Sequence, residues 1–334
     1  MVKRKCSKES YCQFLIAAQT NFTATNFASL VSDTAHDSIT RFLSKTKLTP
    51  KVIWEYSEKF VKKEDGYLIA DDTVLDHPYG ENIGLAKWQY SGAHHGVVYG
   101  IGLVTLLWSN IDEHIPVDFR LYAKEDDGKT KNELFREMLV KSHQRGFSPK
   151  AVLMDSWYSV SDTLHLINNY GWIFICGLQS NRIVATGVGK INHFKLNELK
   201  KRNIDVPNEG IILHLQKFGK VKIFRFITPK GKMDYLATNN LDLSSADMQK
   251  VYAKRWKIEE YHRGLKQVTG LEMCQSRTKR SQRTHIFCSI LSFLALEKKR
   301  MEENITWYEA KRKIISDALF LYLKQPMIPL PVKT

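Results

Sequence analysis

The chain has 334 residues, of which 43% are hydrophobic and 11% aromatic, so it can bury a sizeable core, and disorder is excluded. Its net charge of +15 favours an anionic partner, nucleic acid first and an anionic membrane second. No uncharged apolar run approaches the roughly 18 residues of a membrane span, and the apolar segment near the N-terminus is too short for a signal peptide. We therefore expect a cytoplasmic protein that makes no membrane contact.

The first 62 residues are predicted to be helical and to form a DNA-binding region. Short amphipathic segments occur at 25–33 and 35–45, and a Thr-Pro pair at 49–50 is typical of a helix start. Three such helices are compatible with a helix-turn-helix unit, and equally with a plain helical bundle.

Residues 63–181 are predicted to form the first part of an α/β core. Three apolar runs rich in Val, Ile and Leu, at 66–75, 96–110 and 115–124, predict a strand meander. A helix that Gly146 ends, a buried strand at 150–157, a helix that Gly171 ends and a further strand at 172–180 follow. This order predicts a mixed sheet covered by helices.

Residues 182–243 are predicted to be a β-rich insertion, because alternating segments are separated by short glycine turns. Helices return in residues 244–300, which complete the core, and a helical region with an extended tail occupies residues 301–334.

Positive charge is concentrated in two parts of the chain. Residues 253–300 hold twelve Lys or Arg and four Asp or Glu, and residues 190–225 hold nine Lys or Arg and three Asp or Glu. We expect these stretches to contact the anionic partner.

The segment YAKRWKIEEYHRGLKQ, residues 252–267, is dense in charge. On a single helix at about 100° per residue, five side chains fall within a sector roughly 80° wide, opposite an apolar face. One interpretation is an exposed face held by ion pairs between residues four apart; the other is a face that binds phosphates. The five side chains are Tyr252, Arg255, Glu259, Arg263 and Lys266.

Two aspartates stand at the ends of predicted strands. Asp72 follows the run GYLIAD, and Asp155 follows AVLM. Each alone is explained by a helix cap or a turn. Together with Glu259 they offer three hard oxygen ligands that suit Mg²⁺ or Mn²⁺, and a pair of such ions supports phosphoryl transfer. The five scattered cysteines, which lack any C-x-x-C pair, predict neither disulfides nor a zinc site.

These residues resemble a known family. The spacing Y-x2-R-x3-E-x6-K from Tyr252 to Lys266 is similar to the signature helix of the cut-and-paste DDE transposases of bacterial insertion sequences. The segments DDT at 71–73 and VLMDSWYS at 152–159 resemble the two acidic motifs of that family. The resemblance covers about residues 60–300 and includes the β-rich insertion.

The resemblance implies a ribonuclease-H-like core, with Asp72, Asp155 and Glu259 as catalytic residues that hold two Mg²⁺ ions, or alternatively Mn²⁺. The first position is open between Asp71 and Asp72, since neighbouring strand residues point to opposite faces. Asp72 is preferred because it stands directly before a threonine.

The resemblance also implies a function. The protein would bind the terminal inverted repeats of an insertion sequence as a homodimer on double-stranded DNA, within the nucleoid. It would cleave the element ends by metal-dependent hydrolysis and join the 3′-OH ends to target DNA. The alternatives are a catalytically silent DNA-binding derivative and a structure-specific nuclease on the same fold. The residues expected to bind DNA are Tyr252, Arg255, Trp256, Arg263 and Lys266; Trp256 would either stack on a base near the cut or pack in the core.

Overall fold

The computed structural model describes residues 5–31, 33–80, 82–187, 193–227 and 233–327. The chain divides into two compact units. The sheet unit comprises residues 50–74 and 87–261, and the helical unit comprises residues 1–49, 75–86 and 262–334. Both units draw on distant parts of the sequence, so neither is a contiguous segment.

The predicted meander and the parallel strands are present. Strand β5 pairs parallel with both β1 and β6, whereas β3 pairs antiparallel with β4. The resulting order β4-β3-β1-β5-β6 is that of a ribonuclease-H-like core, which confirms the predicted fold class. Strand β2 was not predicted; it pairs with β3 at the edge of the sheet. The strands are β1 Tyr67–Asp76, β2 Lys87–Ser91, β3 Gly96–Ser109, β4 Ile115–Tyr122, β5 Ala151–Met154 and β6 Phe174–Leu178.

The β-rich insertion extends the same sheet. Strand β11 pairs antiparallel with β6, and the order continues β11-β10-β9-β7-β8, which gives eleven strands among the described residues. Residues 188–192 and 228–232, within the predicted insertion, and residues 328–334 of the predicted tail lie outside the described residues. The five strands of the insertion are β7 Ile183–Ala185, β8 His193–Lys195, β9 Ile211–Leu215, β10 Gly219–Ile227 and β11 Met233–Thr238.

Helices flank the sheet unit. Helix α6 begins with a capping box in which Thr130 and Glu133 satisfy each other's backbone N–H groups. The predicted stops at Gly146 and Gly171 are confirmed, with φ of +80° and +71°, a backbone conformation that glycine adopts without strain. The helices of this unit are α4 Pro50–Ser57, α5 Lys124–Asp127, α6 Lys131–Gln144, α7 Ser161–Asn169 and α8 Ser245–Ala253.

The prediction of one helix across residues 252–267 is wrong. Helix α8 ends at Ala253 and helix α9, Trp256–Thr269, begins after a turn at Lys254 and Arg255. The N–H groups of Lys257 and Ile258 bond to carbonyls three residues earlier, at 3.0 and 3.2 Å, so the chain winds too tightly here for a continuous α-helix. The apolar face predicted for the second part is confirmed, because Ile258, Leu265 and other residues of α9 are buried.

The helical unit is built around α10, whose first four turns are buried on nearly all sides. Tyr11 of α1 bonds to His285 Nδ1 at 2.9 Å, and the Ser292 hydroxyl donates to the Cys12 carbonyl at 3.1 Å. Helix α1 lies within the region predicted to be helical but was not predicted as a separate helix, although Ser7 and Ser10 form a capping box at its start. The helices are α1 Lys8–Ala17, α2 Ala24–Leu30, α3 His36–Lys45, α10 Lys279–Glu303 and α11 Trp307–Lys324. No described helix is both long enough and apolar enough to cross a bilayer.

Two charged side chains are buried where α11 packs in the helical unit. Glu297 is fully buried and accepts hydrogen bonds from Arg300 at 2.8 and 3.0 Å and from Trp307 Nε1 at 2.6 Å. Lys311 is 7% exposed and its Nζ donates to the Val268 carbonyl at 2.7 Å, near the C-terminal end of α9. A cation at a helix C-terminus is favourable, but its burial is costly.

Lys311 gives the helical unit a predictable pH dependence. Burial lowers the pKa of Lys311 from 10.5 to about 8, so between these values the unfolded chain binds the proton that the folded chain has lost. The free energy of unfolding therefore gains a contribution that rises with pH, by up to about 1.4 kcal/mol per pH unit. We expect Lys311→Met to remove this contribution. Urea unfolding at pH values between 7.5 and 10.5 gives the free energy of unfolding of both proteins as a function of pH. Equal slopes of that free energy against pH for the unaltered protein and the variant would contradict the prediction.

Candidate active site

The register of the central parallel strands brings two aspartates together. The last paired residues of β1 and β5 are Ala70 and Met154, and the next residue in each strand direction is Asp71 and Asp155. Residues in register on parallel neighbours point to the same face of the sheet. Asp71 therefore faces the same side as Asp155, and Asp72, as the next strand residue, faces the other.

Asp71 lies in a strongly perturbed environment. Burial and, to a smaller extent, the negative charge of Asp155 together raise its pKa from 3.8 to about 7, while the charge of Arg255 opposes the change. One of its oxygens accepts a hydrogen bond from Arg255 Nη1 at 3.1 Å. A carboxyl group whose pKa is raised to near neutrality by burial beside a second carboxyl group is typical of a functional site.

Asp155 is held by the chain that follows it. Its Oδ1 accepts the backbone N–H groups of Trp157 at 2.9 Å and Tyr158 at 3.3 Å. Burial raises the pKa of Asp155, and these two hydrogen bonds oppose the rise. The second oxygen of the carboxylate is not used by these contacts, so the turn fixes the group without consuming all of its ligand capacity.

Glu259 is tied to Asp71 through one arginine. The Arg255 guanidinium donates from Nη2 to Glu259 Oε1 at 2.6 Å and from Nη1 to Asp71 at 3.1 Å. Burial lowers the pKa of Arg255, but the charges of Tyr252, Asp71 and Glu259 outweigh it, so the pKa is raised. Arg255 thus bridges two of the three clustered carboxyl groups and neutralises their repulsion.

A family comparison identifies the family of the chain. A protein-family model described as a transposase DDE domain matches residues 62–294. The chain belongs to the DDE transposase family. Transposases of this class generally use divalent metal ions, and they act on DNA. The comparison with curated proteins found no match.

Two solved structures are similar to the transposase at low identity. One is endonuclease V of Ciona intestinalis in complex with a 24mer DNA containing an inosine followed by a ribo-adenosine, with 14% identity, a TM-score of 0.28, and coverage of 64% of this chain and 95% of that chain. The other is the Drosophila P element transposase strand transfer complex, with 12% identity, a TM-score of 0.28, and coverage of 93% and 64%. The fold assignment rests on the strand order and the family match.

Asp72 has different partners from the other carboxyl groups of the transposase. Its Oδ2 accepts from Lys131 Nζ of α6 at 2.6 Å, and its Oδ1 accepts from the buried Tyr158 hydroxyl at 2.6 Å. No sequence pattern predicted the contact with Lys131, which lies 59 residues away. Tyr158 lies within the second acidic motif, and its role was missed. The geometry favours Asp71 over Asp72 as the partner of Asp155 and Glu259, contrary to the preference drawn from the DDT segment.

The predicted DNA-binding residues are distributed over both units. Tyr252 is largely buried at the end of α8, and burial raises its pKa to about 12. Trp256 is 53% exposed, so the packing interpretation of this residue is not supported. Arg263 is exposed and belongs to the helical unit. Lys266, also in that unit, pairs with Glu272 at 2.7 Å. The single stripe predicted from one continuous helix is thus interrupted.

A cleft of about 440 Å³ opens beside Asp155 in the sheet unit. Its walls come from β6, from the insertion strands β10 and β11, and from α8. The insertion therefore shapes the surroundings of the carboxyl cluster, a contribution that the sequence did not reveal. Six of the lining residues are Asp155, Leu178, Phe226, Tyr235, Gln249 and Tyr252.

The carboxyl cluster is a candidate site for a divalent metal ion. Within the described residues, no group of three His, Cys, Asp or Glu side chains is arranged so that it could hold a metal ion. The donor chemistry nevertheless fits: two partly buried carboxyl groups share a face, and the negative charge of Asp155 raises the electrostatic cost of ionising Asp71. Arg255 supplies the balancing positive charge between Asp71 and Glu259.

Proposed function

We propose that this transposase binds the terminal inverted repeats of an insertion sequence, cleaves DNA at the element ends by metal-dependent hydrolysis, and joins the 3′-OH ends to target DNA. The observation that supports this most is the register that sets Asp71 beside Asp155, with Glu259 linked to Asp71 through Arg255. A silent derivative would not need this carboxyl cluster. A nuclease would share it, and the match to a transposase family model favours the transposase over the nuclease.

Asp71, Asp155 and Glu259 are the residues that we propose hold the divalent ions, two Mg²⁺ or alternatively Mn²⁺. Bound divalent ions stabilise the charge that develops on the attacking and leaving oxygens of a phosphodiester. Asp72 stays the alternative first residue, as the DDT resemblance implies. The protein's own contribution is positional: the Asp155 turn fixes one carboxylate, and β1 fixes the other.

Arg255 has two proposed roles. In the structure it neutralises Asp71 and Glu259, and this contact keeps the carboxyl groups clustered while they carry negative charge. When these carboxylates bind cations, the guanidinium is the nearest donor for a DNA phosphate. Tyr252, at the rim of the same cleft as Asp155, would donate a hydrogen bond to a phosphate next to the cut.

The remaining DNA contacts are proposed from charge and exposure. Trp256 is exposed and would stack on a base near the cut, while Arg263 and Lys266 would hold phosphates. The N-terminal helices and the basic insertion would recognise the element ends.

We further propose that the protein dimerises on DNA. Within the C-terminal helices, Ile290 and Phe293 are buried in α10, whereas Phe320 and Leu321 of α11 are 58% and 67% exposed, so α11 is the better candidate contact.

The direct test uses the genomic DNA that flanks the reading frame. Duplexes covering each flank are incubated with the protein and Mg²⁺, and the products are separated on a denaturing gel. We expect cleavage at the ends of imperfect inverted repeats, and joining of the 3′ ends to an added plasmid. Binding without cleavage would indicate the silent derivative, and cleavage that ignores the repeats would indicate the structure-specific nuclease.

DNA binding is expected to depend steeply on salt. If six or more phosphates are neutralised, affinity for a flanking duplex falls by roughly 10³ or more between 50 and 200 mM salt, since counterions are released on binding. Arg263→Gln should reduce the slope of log K against log salt by about one, because it removes one proposed phosphate contact. Fluorescence anisotropy measures both. A flat plot for the unaltered protein would remove the nucleic-acid assignment.

A further inference from the structure

One face of the hairpin formed by β2 and the start of β3 is aromatic. Trp88 lies opposite Tyr99, and Tyr90 lies opposite Val97. Directly opposed residues on antiparallel strands share a face, and so do residues two apart on one strand. These four side chains, which we call the aromatic ribbon, therefore form a single surface.

The aromatic ribbon exposes much of its apolar surface to water, which is unfavourable. Trp88, Tyr90 and Val97 are 71%, 63% and 63% exposed. The Trp88 and Tyr99 rings meet edge to face, with centroids 5.5 Å apart. Exposed apolar side chains that are contiguous mark interaction surfaces more often than single ones do.

The opposite face of the hairpin holds the aromatic ribbon in place. Lys87 Nζ lies 4.0 Å from the centroid of the Tyr122 ring in β4. Gln89 Nε2 donates to the Gly100 carbonyl at 2.8 Å. The hairpin is thus anchored to the sheet unit by its polar residues, which leaves the aromatic residues pointing away from these contacts.

We propose that the aromatic ribbon binds the DNA substrate by stacking on unpaired or unstacked bases; this inference rests on the proposed function. Trp and Tyr offer flat faces on which bases of any sequence stack. Residues 87–100 contain no Asp or Glu and include Lys87, His94 and His95, so the hairpin carries no charge that repels phosphate. The carboxylates that act on Lys87, those of Glu125, Asp126 and Asp127, belong to α5.

The strand that carries the ribbon also leads to the carboxyl cluster. The Thr105 hydroxyl of β3 donates to the Asp71 carbonyl at 3.3 Å. Tyr99 and Val97 lie six and eight residues before Thr105, which corresponds to roughly 20–27 Å along a strand at about 3.4 Å per residue. The ribbon would therefore contact DNA several nucleotides away from a cut at the carboxyl cluster.

The test compares substituted proteins by anisotropy with a labelled flanking duplex that ends in a short single-stranded extension. We expect the double variant Trp88→Ala, Tyr90→Ala to raise Kd about tenfold or more, with an unchanged slope of log K against log salt, because stacking releases no counterions. The double variant Trp88→Phe, Tyr90→Phe should retain most of the affinity. Ile111→Ala, which alters a side chain that is 74% exposed at the other end of β3, is the matched control.

The possible outcomes separate the two proposals. If the unaltered protein binds the duplex and the alanine double variant binds equally well, the ribbon has no part in DNA binding, and the proposed function stands. If the alanine variant loses only self-association, measured by sedimentation, the ribbon contacts a second copy and the inference is overturned. Failure of the unaltered protein to bind any flanking duplex would instead remove the proposed function. A photocrosslinker at position 90 should label bases of the single-stranded extension.

Discussion

Substituting Asp155 by asparagine is expected to lower strand cleavage by about a thousandfold or more, because a ligand that supplies several kcal/mol of transition-state stabilisation is lost. Asparagine keeps the oxygen that accepts the Trp157 and Tyr158 N–H groups, so the turn and the fold should survive. Glu259→Gln should be equally inactive. Both variants should bind DNA as well as the unaltered protein or slightly better, since a negative charge near phosphate is removed.

The same assay decides between the neighbouring aspartates. We expect Asp71→Asn to be as inactive as Asp155→Asn, because Asp71 shares a face with Asp155 and is linked to Glu259 through Arg255. Asp72→Asn should lose less than about tenfold, since its amide oxygen still accepts from Lys131 or the Tyr158 hydroxyl.

Three results would contradict parts of this assignment. An inactive Asp72→Asn beside an active Asp71→Asn would restore the residue that the DDT segment favours. Normal cleavage by Asp155→Asn would place the active site elsewhere. Loss of DNA binding in the asparagine variants, with unchanged circular dichroism, would show that these carboxyl groups organise the DNA-binding surface rather than the chemistry.

Glu297→Ala is expected to lower the free energy of unfolding by about 3 kcal/mol, because a fully buried carboxylate that accepts three hydrogen bonds is removed. The substitution deprives Arg300 of two hydrogen bonds and the Trp307 indole of one. Glu297→Gln should cost less, since the amide still accepts from Trp307. Denaturant unfolding followed by circular dichroism measures the difference.

The matched control for this effect lies on the same helix. Glu302 pairs with Lys298 at 3.5 Å, and their side chains are 61% and 48% exposed. Glu302→Ala should change the free energy of unfolding by less than about 1 kcal/mol, because water and salt screen the pair. Equal losses for Glu297→Ala and Glu302→Ala would mean that burial does not determine the cost, and that the structural account of the α10–α11 contact is wrong.

The sequence by itself determined most secondary-structure elements and the fold class. Apolar runs such as those of β1, β3 and β5 predict buried strands, and glycine at 146 and 171 ends the helices where a positive φ is needed. The signature spacing, the charge and the two acidic motifs led to the DDE family, which the family model confirms. Strand β2 was missed, and helix α1 was not separated from the rest of the helical region, because short segments carry weak periodicity; the cap at Ser7 and the alternation around Trp88 were readable signals.

Only the tertiary structure decided which side chains meet. Asp71 and Asp72 are adjacent and chemically identical, so their difference arises from strand register with β5, which is a long-range property. The turn at Lys254 and Arg255 was not predicted because the local sequence favours helix throughout. Arg255, which lies in this turn, bridges the carboxyl groups of Asp71 and Glu259. The partners of Asp72 come from 59 and 86 residues away, distances at which sequence spacing carries no geometric information.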